Sequence, residues 1–283
     1  MSSRGAPEGP VAALERRAAR AEDLAAASWT GAGPLCFAAA LYRTQARLAA
    51  SALHLEPPLS GRLEADLDRL LDGLHDLLGF AAEHGPAALA EHARARAREP
   101  PADARARLLA WWKAEASTAD DYLSRAFLRP YTEVLAHLRV PPDRLRRPGR
   151  CPFCGGAPWI AARRTEGDGD GARRRLGCGL CGGEWTFNRI CCPRCAEADP
   201  AKLPSFSSDA HPPVRIEACE SCRHYVKSID LTVDGRAIPE VDDLASLSMD
   251  LWAAREGFER IEPGLAGRLP VTGFANVPPP ARV

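Results

Sequence analysis

The chain has 283 residues, with 37 Lys or Arg against 37 Asp or Glu and a formal net charge of zero. That balance argues against a general polyanion binder, which needs a basic surplus, while leaving local patches open. The length allows two domains, and nine of ten cysteines fall between 151 and 222, so composition itself places a boundary near residue 145.

Residues 1–10 are polar and rich in Gly and Pro, without the apolar core of a secretory signal. The apolar stretch 35–41 is too short to span a bilayer. A cytoplasmic protein with reduced thiols and no membrane insertion is expected.

Residues 11–140 are rich in Ala, Leu, Arg and Glu and favour helices. Helices are predicted over 11–27, 34–53, 60–82, 87–97, 102–116 and 119–137. In 60–82, Leu63, Leu67, Leu70, Leu71, Leu74 and Leu78 form one apolar stripe, with Ser60 as its N-cap. Gly85-Pro86 reads as a stop and restart. Thr118-Ala-Asp-Asp121 resembles a capping box, and Pro130 should kink or break the last helix. Cys36, within Leu35-Cys36-Phe37-Ala38, reads as a buried free thiol. Trp111-Trp112 reads as a core anchor, and His54, His75, His84, His92 and His137 form no ligand cluster.

The second half carries four Cys-x-x-Cys pairs: Cys151/Cys154, Cys178/Cys181, Cys192/Cys195 and Cys219/Cys222. Adding 41 to the first four positions gives the second four, so a four-cysteine module is duplicated. Two intervening residues let a tight turn aim both sulfurs at one ion. A second turn completes a thiolate tetrahedron suited to zinc, a single iron or, in principle, an iron–sulfur cluster. Two metal ions are therefore expected. Each module reads as knuckle, hairpin, knuckle, strand, with return strands at 173–177 and 214–218 and final strands at 184–190 and 225–231. Such units are too small to fold on apolar burial alone, so the metal should stabilise them.

The Gly/Asp run 166–171 lacks the calcium-loop pattern and reads as a hairpin loop. Arg163-Arg164 and Arg173-Arg174-Arg175 flank it. They read as a solvated face, with phosphate or a carboxylate-rich partner as the alternative. Cys191 must point away from a metal held by Cys192 and reads as a packing cysteine, with a spare reactive thiol as the alternative. Residues 239–256 form one amphipathic helix with Val241, Leu244, Leu247, Leu251 and Trp252 as its stripe and Gly257 closing it. The tail from Glu262 should be loose.

The fold class expected is α+β: a helical domain at 1–145, metal modules at 146–190 and 191–236, and a C-terminal helix and tail at 237–283. No Ser/His/Asp set, phosphate loop or dinucleotide fingerprint is present. A closed four-cysteine site leaves no position for a catalytic water, which argues against an enzyme.

The order Cys151-Pro-Phe-Cys154-Gly, Cys178-Gly-Leu-Cys181 with Glu184-Trp185, Cys192-Pro-Arg-Cys195, and Glu217-Ala-Cys219-Glu-Ser-Cys222 leading to Tyr225-Val226-Lys227 resembles the formate dehydrogenase accessory protein FdhE family. Val241-Asp-Asp-Leu-Ala-Ser-Leu247 and Glu256-Gly-Phe258 resemble its C-terminal part. The resemblance covers about 145 to 260. It implies a cytoplasmic maturation factor contacting the catalytic subunit of formate dehydrogenase. It also implies rubredoxin-like sites formed by the eight paired cysteines, with iron favoured and zinc the alternative. Two further readings compete: a one-electron carrier, and a zinc-ribbon nucleic-acid binder, against which the zero net charge weighs.

Overall fold

Alanine and leucine build the first half. The computed structural model describes residues 8–27, 32–113, 121–165, 172–267 and 281–282. The long helices α1 (Pro10–Ala27) and α2 (Ala32–Leu53) pack along each other. Next come α3 (Leu63–Asp66), a 3-10 turn at Leu67–Arg69, α4 (Leu71–His84), α5 (Ala87–Arg96), α6 (Pro101–Lys113) and α7 (Tyr122–Leu138). Trp111 and Trp112 are buried in this half, as expected. Cys36 is exposed instead of buried, because its helical phase turns it away from buried Leu35 and Ala38.

Two local expectations fail for tertiary reasons, the unbroken helix 60–82 and its Ser60 N-cap, and of the kink or break expected at Pro130 the break does not occur. The predicted helix 60–82 is broken at Leu67–Arg69. The N-cap position of α3 is Arg62, and Ser60 donates to Asp66 instead. Buried Asp66 also accepts from the Gly61 amide and the Tyr131 hydroxyl, so one carboxylate organises this corner. Pro130 does not break α7. Proline removes the donor that the Ala126 carbonyl would use, and Gln45 of α2 supplies one at 2.8 Å. Residues 118–120 of the supposed capping box lie outside the described residues; Asp121 is itself the N-cap and accepts from the Ser124 amide.

The second half is one continuous sheet. Its strands are β1 (Pro158–Thr165), β2 (Ala172–Cys178), β3 (Glu184–Thr186), β4 (Ser205–Ser207), β5 (Val214–Cys219), β6 (His224–Asp230), β7 (Glu259–Arg260) and β8 (Ala281–Arg282). The spatial order is β3-β2-β1-β6-β5-β4-β8, with β7 added to β6. Strands β1–β3 belong to the first module and β4–β6 to the second. They join side by side through the parallel ladder Ile160↔Lys227 to Arg163↔Asp230. The Gly/Asp run 166–171 lies outside the described residues.

One sheet face, with Ile160, Val214, Ile216 and Ile229, shares a core with the helices. The opposite face carries a small apolar cluster of Ala161, Leu176 and Val226, bordered by Trp185, Phe187 and Ile261. The region 239–256 is not one helix. It divides into α8 (Pro239–Asp242), a 3-10 turn (Asp243–Ser246) and α9 (Leu247–Arg255). The cause is Lys227, fully buried on β6. Its ammonium donates to the carbonyls of Asp243 at 2.8 Å and Ser246 at 3.1 Å and pairs with the Asp243 and Asp250 carboxylates. A buried ammonium needs acceptors, and the interrupted helix provides them. The start of the tail is also held: Glu262 is buried and pairs with Arg125, which also bonds the Pro263 and Gly264 carbonyls.

The junction of the halves is ionic. Arg17 of α1 and Arg129 of α7 both bond Glu133 of α7 and Glu240 of α8. The Arg129 guanidinium lies 4.7 Å from the Trp159 ring centre. Among the described residues no helix is long and apolar enough to cross a membrane.

Candidate metal centres

All four knuckles are built alike. The residue after the second cysteine donates back to the first cysteine's carbonyl: Gly155 to Cys151, Gly182 to Cys178, Ala196 to Cys192 and Arg223 to Cys219. Each of these residues is left-handed, with φ of 71°, 68°, 62° and 57°. That conformation reverses the chain so that both sulfurs face inward. Glycine adopts it without cost, so the first module is relaxed where the second carries Ala196 and Arg223 under strain of about 1 kcal/mol each. Ala196→Gly is expected to raise stability by about 1 kcal/mol, read as a higher urea midpoint for the metal-loaded protein; an unchanged or lower midpoint would disprove the strain.

The knuckles meet in pairs. Cys151, Cys154, Cys178 and Cys181 form one group and Cys192, Cys195, Cys219 and Cys222 the other, with all sulfurs of a group within 4.8 Å of one another. The nearest contacts are 3.6 Å for Cys151–Cys181, 3.4 Å for Cys154–Cys178, 3.7 Å for Cys192–Cys222 and 3.6 Å for Cys195–Cys219. A tetrahedron with metal–sulfur bonds of about 2.3 Å has an edge of about 3.8 Å. A disulfide requires about 2.05 Å. The donor sets therefore fit one thiolate-bound ion each, and these are the eight cysteines that the spacing singled out. Among the described residues no histidine joins them.

Hydrogen bonds support the first group. The amides of Gly156, Leu180 and Cys181 point at Cys154 or Cys178 sulfur. Such donors stabilise thiolate over thiol. Four sulfurs so close cannot all ionise alone. Thiol hydrogen bonds led by Cys154 pull Cys151 far down, burial pushes Cys178 well up, and burial raises Cys192 to about 11. Loading an ion displaces the remaining protons, so affinity falls in acid.

The two groups differ in surroundings. The first is wholly buried, whereas in the second Cys195 is exposed and Cys222 half-buried. The first is wedged against the helices: Arg144 bonds the Cys154 carbonyl and the Trp112 carbonyl while lying over the Trp112 ring. Among the described residues no hydrogen bond or ion pair ties the second group to the helical half. Cys191 points away from the second group, as expected, and its thiol donates weakly to the Cys192 carbonyl. The arginine runs are not simply solvated: Arg163 pairs with Asp230, Arg164 with Glu184 and Arg174 with Glu217.

Sequence reasoning missed the buried ionic groups around Lys227 and Glu240. Their only sequence signal was a rare lysine and acids within an apolar helix pattern.

Residues 190–265 match the family described as FdhE, C-terminal domain. A protein FdhE homolog of Aquifex aeolicus is 37% identical over 117 residues, 41% of each chain. Another, from Pseudomonas putida, is 36% identical over 135 residues, 45% of this chain and 42% of that one. The aligned segments thus span about two fifths of these curated relatives. The crystal structure of the FdhE protein from Pseudomonas aeruginosa superposes with a TM-score of 0.64 at 25% identity, covering 92% of this chain and 96% of that one.

Proposed function

We propose that this chain, FdhE-like in sequence and in fold, is a cytoplasmic, non-enzymatic maturation factor that binds the catalytic subunit of formate dehydrogenase. The observation that carries this reading is the pair of four-thiolate groups set in an FdhE-like sheet, the first of them braced by the helical half. A closed tetrahedron of thiolates has no position for substrate water, so the centres suit structure, sensing or electron exchange better than hydrolysis. Rubredoxin-type iron is favoured by the family resemblance, with zinc as the alternative. The eight cysteines would hold two ions, and the helical half together with the modules would present the surface for the immature subunit.

An anaerobic affinity capture from the native host tests this, with mass spectrometry of co-eluting proteins. A formate dehydrogenase catalytic subunit should be enriched, and lost with Cys178→Ser or Cys219→Ser. Recovery of ribosomal or DNA-bound proteins in its place would overturn the proposal.

Exposure of Cys195 favours a second reading, in which the second centre passes one electron to a partner. A colourless zinc protein purified anaerobically from iron-replete cells would end that idea.

A further inference from the structure

On the sheet face turned away from the helices, a cleft of about 270 Å³ opens beside the second centre. The linker between the modules forms one wall, with Arg189 and Cys191; strands β1, β2 and β5 form the floor, with Arg163, Arg174 and Arg215. Register explains their convergence. Arg163 lies opposite Arg174 on one side and Asp230 on the other, and Arg215 lies opposite Ser228, two residues before Asp230. All point to one face, because successive strand residues alternate.

The charges are not evenly spent. Arg163 is matched by Asp230 at 3.3 Å, and Arg174 by Glu217 at 2.7 Å. The side chains of Arg189 and Arg215 have no hydrogen-bond or ion-pair partner among the described residues. One buried polar atom of the lining also has no partner: Nε of Arg174, whose residue is 6% exposed and whose other guanidinium nitrogens bond the Asn188 and Cys191 carbonyls and the Glu217 carboxylate. A buried donor without an acceptor costs about 1–3 kcal/mol, so its persistence points to a ligand that accepts.

We infer that this cleft is an oxyanion site, taking a small group with several acceptor oxygens such as a carboxylate or a tetrahedral oxyanion. Arginine forks match that geometry, and the volume suits a few heavy atoms. The oxyanion could be free in solution or be a side-chain carboxylate of a bound polypeptide. Cys192 and Cys219 border the same cleft, so a rival account assigns the spare arginine charge to the thiolates of the second centre. The inference does not depend on the maturation role.

The test is calorimetric titration of the full, metal-loaded chain at low chloride with inorganic sulfate, and separately with a glutamate-rich hexapeptide. Sulfate binding without peptide binding supports a free oxyanion. Peptide binding that sulfate displaces supports a carried carboxylate. Arg189→Ala with Arg215→Ala should weaken binding at least about tenfold while both ions and the unfolding midpoint are retained. Arg189→Ala alone, on the exposed linker, should weaken it several-fold and cannot disturb the sheet. Binding of neither probe to the wild type, or unchanged binding in both variants, overturns the site. So does loss of the second ion in the double variant, which would give the charge to the metal centre.

Discussion

Cys178→Ser should lose both ions and unfold the sheet half, because the two groups share one continuous sheet, whereas Cys195→Ser should lose the second ion and leave the first half of the sheet standing. Cys178 is wholly buried at the centre of a group wedged between sheet and helices, and Cys195 is exposed at the far one. A buried centre that loses a ligand leaves three thiols in a space shaped for an ion. Binding free energies for structural zinc in small domains reach about 10–16 kcal/mol, more than a whole domain usually has in reserve. The same asymmetry predicts two phases of release to a chelator in the wild type, the faster by about an order of magnitude and absent in Cys195→Ser. Elemental analysis gives the stoichiometry and circular dichroism the order. Equal loss of order in both variants would show that burial does not rank the two centres.

Glu240→Ala should cost about 3–5 kcal/mol, the penalty for leaving buried guanidinium groups short of an acceptor. Arg17 and Arg129 are 8% and 2% exposed and share Glu133 and Glu240. Without Glu240, one carboxylate must serve both cations. Glu8→Ala is the control: its pair with Arg16 lies on the surface and should contribute under about 1 kcal/mol. Burial alone would raise the Glu240 carboxyl, but Arg129 and Arg17 outweigh it and hold it below the ordinary carboxylate value. Its stabilisation is therefore complete above the unfolded value of about 4.3 and disappears as pH falls through the lower folded value. Urea midpoints should show a constant difference between wild type and Glu240→Ala above about pH 5, shrinking in stronger acid. A difference below about 1 kcal/mol at neutral pH would mean that the junction is held by packing instead.

The metal groups were legible because their signal is local and chemical. Two residues between cysteines define a knuckle, and the offset of 41 defines a duplication, before any contact is known. The helices were legible where an apolar stripe repeats without interference. They were misread where a distant side chain intervenes. Pro130 is tolerated because Gln45, far away in sequence, serves the Ala126 carbonyl. The region 239–256 is interrupted because Lys227 draws on its carbonyls. Nothing near either position in sequence announces those partners. The joining of the two modules was equally hidden, since the parallel ladder pairs residues 67 apart and no turn chemistry specifies it.

That ladder has a thermodynamic consequence. Strand β1 leads from the first centre and β6 leaves the second, and four residue pairs bind them. An ion that orders β1 thereby prepays part of the ordering of β6. The two affinities are then linked, and linkage is reciprocal: whatever factor the first ion adds to the second, the second returns to the first. A chain holding one ion is then less populated than two independent sites would make it, although the exposed second centre still releases its ion first. The duplicated module would thus convert a graded supply of metal into something nearer an all-or-none state of the protein.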